Sequence, residues 1–465
     1  MTGTVRFDLD ELRARTTGVV ALPGDEPYED SRAIWNGDID RRPAVVVRAA
    51  DAADVAVALG IARDAGLEVS VRGGGHGYAG LAVCDDGLMI DLSDCAAVTV
   101  DPDSRTVRVG GGARLADLDA ACQEHGLAVP AGIISHTGVG GLTLGGGMGW
   151  LTRAHGLSID NLLGAEVVLA DGRIVRADAD HEPDLFWALR GGGGNFGVVT
   201  EFEFRAHPVG PVVHVGLLFW EADRGTEALA ACRDAVPGLP ADSGAIIAVG
   251  LSAPAEPFVP EEVQGSVGYA MIVVGYAGEE AHARSLEPLR AACPPLFELV
   301  TPMPFTGLQG MLDGGFPWGI RAYEKAIYLD AITDDAIDVL TSRVGLQASP
   351  LSFMGIFVLD GGYARVADDA TAFSGTRRPQ FLVNASACAE DPETLAADRA
   401  WVRGNWDALR PLSGGSGGYV NFMAEADDDR VRASYGPARY DRLARIKGVY
   451  DPGNVFHRNA NIKPR

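Results

Sequence analysis

The chain is poor in the features that mark several protein classes. Its 465 residues hold only six cysteines, at 84, 95, 122, 232, 293 and 388. No CxxC occurs, and no Cys/His spacing suits zinc, so no metal site is expected. A disulfide framework belongs to small, cysteine-dense secreted domains, so buried free thiols are expected instead. No stretch approaches the roughly 18 uninterrupted apolar residues that a membrane-spanning helix needs. Positive charge is also short: 39 Lys and Arg stand against 63 Asp and Glu, a formal net charge of −24. Such a surface repels phosphate backbones and anionic lipid, so neither nucleic acid nor membrane is an expected partner. The opening stretch "MTGTVRFDLDELRART" has no basic segment followed by an apolar run, and no twin arginine. A cytoplasmic location is expected from it. No internal repeat is visible.

What the chain does have is glycine, 60 residues of it, concentrated in short clusters. "SVRGGGHGYAG" (70–80), "GIISHTGVGGLTLGGGMGW" (132–150) and "RGGGGNFG" (190–197) all fall in the first 200 residues. Patterned segments surround them. "AVVVRA" (44–49) and "LEVSV" (67–71) read as strands around a helix over 52–66, a βαβ unit that ends at the first cluster. Strands over 88–93 and 106–112, a helix over 114–126, and a hairpin over 161–177 turning at Asp171-Gly172 follow. From about 210 the clusters stop, and short strands alternate with helical stretches such as 222–236 and 333–346. The tail carries a helix closed by an Asp-Pro-Gly turn (439–456).

The pattern G-x-G-x-x-G occurs at Gly75–Gly80 and Gly192–Gly197, but a Rossmann site needs a helix after the loop. A strand pattern follows each match, so that reading fails. Glycine also allows positive φ and close backbone approach to a ligand, and successive loop N–H groups can cradle an anion. Three clusters beside hydrophobic strands point to one large, charged cofactor laid across strand ends; tight turns in a β-rich domain are the plain alternative. His76 inside the first cluster is either a hydrogen-bonded loop residue or a nucleophile toward a bound electrophilic cofactor.

"VRGGGHGYAG" (71–80), "GIISHTGVGGLTLGGGMGWLTRAHGLSIDN" (132–161), "RGGGGNFGVVT" (190–200), "GGYVNFM" (417–423) and "YDPGNVF" (450–456), in this order, resemble the berberine-bridge-enzyme-like oxidases. That family belongs to the vanillyl-alcohol-oxidase superfamily. The resemblance runs from about residue 30 to the end and is weakest over 215–350. It implies an α+β fold: a PCMH-type FAD-binding domain of two α/β subdomains (1–208), a substrate domain with an antiparallel sheet covered by helices (209–412), and a C-terminal segment (413–465) returning to the first domain. It implies FAD, attached through His76 to the flavin 8α-methyl carbon. Arg72, Gly73, Gly74, Gly75 and Gly77 would hold the pyrophosphate, with Tyr78 beside them. Thr137, Gly138, Gly141, Leu142, Gly146 and Val199 would line the cofactor, and Asn459 and Asn461 would bond the pyrimidine or cap the tail. Some relatives carry a second link, from a cysteine four residues before the glycine matching Gly138. Here that position is Ile134, so His76 is expected to be the single anchor.

The implied reaction moves a hydride from a substrate C–H to flavin N5 while a base takes the adjacent proton, and reduced flavin then gives H2O2 from O2. Tyr419 is the candidate base, with Asn421 on the same side if "YVNF" is a strand; His136 is a second candidate. A basic phenol would need a nearby cation or the flavin's field. Val139 and Leu142 leave room for O2 by analogy. An alcohol, a sugar or a secondary metabolite such as a polyketide is the expected kind of substrate. Trp220, Tyr269, Trp318 and Tyr323 are either pocket walls or core. A dehydrogenase with another acceptor, and a sensory or structural flavin protein, are the alternatives.

Overall fold

The computed structural model describes residues 7–414, 417–425 and 427–465. Part of the opening stretch, residues 1–6, therefore lies outside the described residues.

The helix Ala52–Ala65 shows how local chemistry sets the first layer. Asp51 caps it by accepting from the N–H groups of Ala53 (2.9 Å) and Asp54 (3.0 Å), and Gly66 ends it at φ 65°. Val55, Ala58, Leu59 and Ala62 are buried against Val45, Val47, Leu88 and Ile90 of a four-stranded sheet. Its order is Val19–Ala21, Val45–Arg48, Leu88–Asp91, Val69–Arg72. The two strands of the expected βαβ unit do not pair with each other. Both pair in parallel with Leu88–Asp91, which inserts between them.

A second sheet is wholly antiparallel, in the order Val98–Asp101, Thr106–Gly110, Val198–Arg205, Leu162–Val168, Ile174–Asp178. The hairpin at Asp171-Gly172 joins its last two strands, with Gly172 at φ 88°. As the Rossmann objection required, strands follow both G-x-G-x-x-G matches, Leu88–Asp91 and Val198–Arg205.

The third sheet has seven antiparallel strands: Phe297–Pro304, Val212–Glu221, Val267–Gly275, Ser243–Ser252, Phe353–Leu359, Gln380–Ala389, Arg321–Leu329. Its inner strands are apolar on both faces because both are covered, while exposed residues recur along the edge strand Phe297–Pro304. Successive side chains alternate between faces. Ile247, Val249, Met271, Val273, Val383 and Ala385 pack under the helices Gly225–Ala235, Glu279–Ala292, Asp334–Thr341 and Pro392–Leu409. Ile246, Ala248, Ile272 and Leu382 face the other way, toward Met148, Trp150 and Tyr419. The architecture is α+β, and the second face of this sheet looks onto the glycine clusters. No helix among the described residues is long and apolar enough to cross a membrane.

Candidate active site

A cavity of about 420 Å³ lies between the glycine clusters and the seven-stranded sheet. All three clusters reach its wall, through Gly73–Gly77, through Thr137, Gly138, Gly141 and Leu142, and through Gly193, Gly194, Gly197 and Val199. The first two clusters are pressed together. A Cβ on Gly74 would stand 2.3 Å from the Gly138 Cα, and one on Gly138 would stand 2.4 Å from the Gly74 nitrogen. Only glycine at both positions allows that approach. The second cluster is not all loop: Gly138 precedes a short helix, Val139–Gly145. The third is clasped by the tail. Asn459 donates to the Gly194 carbonyl (3.1 Å), and Asn195 donates to the Ala460 carbonyl (3.1 Å).

His76 stands on the cavity wall, its ring stacked on Trp35 at 4.5 Å between centroids. Its Nε2 lies 3.1 Å from Nδ1 of His136. Burial first, then His136 and Arg114, push the His76 imidazole down to about 3; burial and Arg114 also lower His136, against the pull of Asp313. Both rings are therefore neutral near pH 7. His136 is behind His76, outside the cavity wall. Tyr78 joins the first cluster to the seven-stranded sheet through a 3.1 Å contact between its hydroxyl and Ser386 Oγ.

Tyr419 and Asn421 also meet at the cavity, by a different route from the expected one. Residues 420–422 form a 3₁₀ turn and not a strand. The turn brings Asn421 Nδ2 to 2.9 Å from the Tyr419 hydroxyl, which also accepts the Gly147 N–H at 2.8 Å. Burial pushes the phenol upward, and these two hydrogen bonds pull the other way. The cation that a basic phenol would need is not among its hydrogen-bond partners, so Tyr419 is a neutral phenol near pH 7.

Several expectations are corrected. Arg72 points away from the cavity: its Nη1 pairs with buried Asp91 at 3.2 Å and touches the Asp30 carbonyl at 3.4 Å. It is not part of the cavity wall, and its Nε is buried without a partner among the described residues. Gly146 lies off the wall, packed beneath Phe373 and Tyr419. Asn461 is also off the wall, although its Oδ1 is buried without a partner among the described residues. Trp220, Tyr269 and Tyr323 lie on the helix-covered face of the sheet, and Trp318 is 40% exposed beside His136.

Other residues at the site escaped the sequence reading. Asn384 and Ser386 line the cavity from the strand Gln380–Ala389. Behind them Glu324 is fully buried and accepts from Asn384 Nδ2 at 3.0 Å; burial pushes its carboxyl well above the usual range, so it is protonated. Two polar residues at i and i+2 in an apolar strand were the available signal.

Comparison with known proteins identifies the family. Residues 43–178 match the family model "FAD binding domain", and 418–463 match "Berberine and berberine like". An uncharacterised FAD-linked oxidoreductase of Bacillus subtilis is 30% identical, over 96% of this chain and 98% of its own length. The chain belongs to the berberine-bridge-like FAD-linked oxidoreductases. The solved 6-hydroxy-D-nicotine oxidase of Arthrobacter nicotinovorans superposes on this oxidoreductase with a TM-score of 0.84, at 26% identity over 97% of this chain and 98% of that one. The glucooligosaccharide oxidase of Acremonium strictum, which carries a 6-S-cysteinyl, 8α-N1-histidyl FAD, shares the fold, with a TM-score of 0.82 at 23% identity over 98% and 99% of the two chains.

The residues of this oxidoreductase fit FAD. Bare glycine backbone from three clusters borders one cavity, and the buried Oδ1 of Asn459 on its wall has no partner among the described residues. An unmatched buried acceptor beside a cradle is what a bound hydrogen-bonding cofactor satisfies.

Proposed function

We propose that this oxidoreductase is an oxidase acting on a compact, largely apolar alcohol or amine, with FAD attached through His76 alone. Bound FAD supplies a hydride acceptor whose electrons pass to dioxygen. Gly73, Gly74, Gly75 and Gly77 present backbone to the cofactor with Tyr78 beside them, Thr137, Gly138, Gly141, Leu142 and Val199 line it, and Asn459 bonds it from the tail. The N-terminal 208 residues and the tail from 413 form the cofactor domain, and 209–412 the substrate domain.

The observation that carries the substrate reading is the wall opposite the glycines. Ile246, Ala248, Ile272, Phe353, Phe357 and Phe422 make it apolar, with Asn384, Ser386, Tyr419 and Asn421 as its polar points. Such a wall suits a ring or alkyl body with one or two polar groups better than an oligosaccharide. Tyr419 handles the proton. As its phenolate Tyr419 would take the proton of the substrate hydroxyl or amine, and the Gly147 N–H and Asn421 amide that donate to its oxygen favour that form against burial.

The test of attachment is acid precipitation. Yellow colour is expected to stay in the protein pellet and to leave it in His76→Ala; colour in the supernatant of the unaltered protein refutes the His76 link. Oxygen consumption with H2O2 release on aromatic alcohols and amines, and not on oligosaccharides, tests the reaction. Turnover that needs another electron acceptor would make it a dehydrogenase.

A further inference from the structure

His136 has a place in the site but no contact with the cavity in which substrate would react. We propose that His136 is a positioning residue for flavin attachment: it holds the Nε2–H of His76, leaves the His76 Nδ1 lone pair free for the 8α-methyl carbon, and takes up the Nε2 proton as the bond forms. The inference rests on the His76 reading above.

The geometry begins with one shared hydrogen. A neutral imidazole carries one N–H and one acceptor nitrogen. With Nε2 of His76 and Nδ1 of His136 only 3.1 Å apart, one proton lies between them. When His76 holds it, Nδ1 of His76 is the nucleophilic atom and His136 carries its own proton on Nε2. The Phe316 carbonyl near His136 raises that ring's proton affinity, which suits it to accept the proton, and its Nε2 has no hydrogen-bond partner among the described residues. Each ring is fixed. Trp35 stacks on His76 with the planes 14° apart, and the Trp35 indole donates to the Phe316 carbonyl at 2.9 Å. Ser135, adjacent to His136, is anchored through its N–H and hydroxyl to the Asp313 carboxylate. Arg114 disfavours a second proton on His76, which keeps its lone pair available, while at His136 the pull of Asp313 outweighs Arg114, so the extra proton passes to that ring.

The step balances. A C–N bond forms between His76 Nδ1 and the 8α carbon, and one methyl C–H breaks, its proton passing to water and its electron pair staying with the flavin. The Nε2–H proton passes to His136 Nδ1. Two electrons go onto the flavin ring and from there, with two protons, to dioxygen as H2O2. His136 supplies the proton acceptor that attack by a neutral imidazole otherwise lacks.

Side-chain substitution separates this role from packing. In His136→Asn the Oδ1 atom occupies the place of Nδ1 and keeps an acceptor for His76. His136→Gln reaches the place of Nε2 instead, and His136→Leu keeps no acceptor. Purified proteins are incubated with FAD in air, and the acid-stable fraction is followed on denaturing gels by flavin fluorescence. Total FAD retained at neutral pH serves as the measure of folding and binding. Attachment in His136→Asn is expected within about threefold of the unaltered rate. In His136→Gln and His136→Leu it is expected to be slower by about 100-fold, the usual scale of a lost acid–base group, with total FAD retained. Attachment in His136→Leu at the unaltered rate overturns this role alone. So does an Asn variant as slow as the Leu variant, because packing alone would then explain both. Absence of attached flavin in the unaltered protein overturns the His76 reading and this one together.

Discussion

Lys447 gives the sharpest test of how the tail is held against the cofactor cradle. Its ammonium is fully buried, and burial lowers its proton affinity against the pull of Asp451. Four acceptors surround Nζ: Asp451 Oδ2 at 3.1 Å, the Asn195 carbonyl at 2.9 Å, the Phe456 carbonyl at 2.8 Å and Asn195 Oδ1 at 3.5 Å. Asp451, also fully buried, accepts from the N–H groups of Val455 (2.8 Å) and Phe456 (2.9 Å). Lys447→Met keeps most of the stem and removes the charge. It leaves a buried carboxylate without its cation and the Asn195 carbonyl without its donor, while the Phe456 carbonyl keeps Asn459 Nδ2. Removing one partner of such a pair costs about 3–5 kcal/mol. Asp451→Asn in the same chain removes the stranded charge, so the double variant is expected to recover about 1–3 kcal/mol relative to the sum of the two single changes. Urea unfolding followed by tryptophan fluorescence measures both. FAD retention is expected to fall with Lys447→Met, because Asn195 and Phe456 frame Gly194 and Asn459 on the cavity wall. A cost below about 1 kcal/mol would place the pair with exposed ion pairs and refute the reasoning.

Three further outcomes are expected. Tyr419→Phe keeps the ring but removes the hydroxyl, and is expected to lower kcat by about 10²–10⁴-fold with the FAD content unchanged; a smaller loss in steady-state oxygen uptake would move the proton-handling role elsewhere. Gly138→Ala would drive its Cβ into Gly74 and is expected to cost about 1–3 kcal/mol and to weaken FAD retention, read by thermal melts with and without added FAD; unchanged melting and retention would mean that the two clusters can separate freely. Asp119 has both carboxylate oxygens buried without partners among the described residues, and burial pushes it up to about 8. The unfolded chain ionises this group near pH 4, so it holds fewer protons than the folded one between those values, and stability falls as pH rises, by about 1.4 kcal/mol per unit. Asp119→Asn is expected to gain stability over the unaltered protein from pH 5 to 7 in urea titrations, and an equal difference at both pH values would contradict the assignment.

The parts of this protein that sequence made legible are those governed by neighbours along the chain. The helix Ala52–Ala65 announces itself through Asp51, its apolar spacing and Gly66, and the hairpin through Asp171-Gly172. The glycine clusters point to the cavity because glycine reports where backbone must approach something closely. What sequence obscured depends on partners far away in the chain. Arg72 sits next to the glycine loop, but the parallel register sets it opposite Asp91, and that pairing cancels its charge inside the sheet. The alternation in "YVNF" suggests a strand, yet residues 420–422 close into a turn, and Tyr419 reaches Asn421 by curvature and not by pleat. The aromatic residues at 220, 269 and 323 are harder still. In a sheet covered on both sides, alternation assigns residues to two faces but does not say which face meets the ligand. Asn384 and Ser386 break that symmetry. They share one face, while Val383, Ala385 and Ala387 on the other are wholly apolar under the helices. A strand buried on both sides can carry polar groups only where they are paired or meet a ligand. The face with Asn384 and Ser386 was therefore the one to place against the cavity, and the aromatic side chains of the opposite face belong to the core.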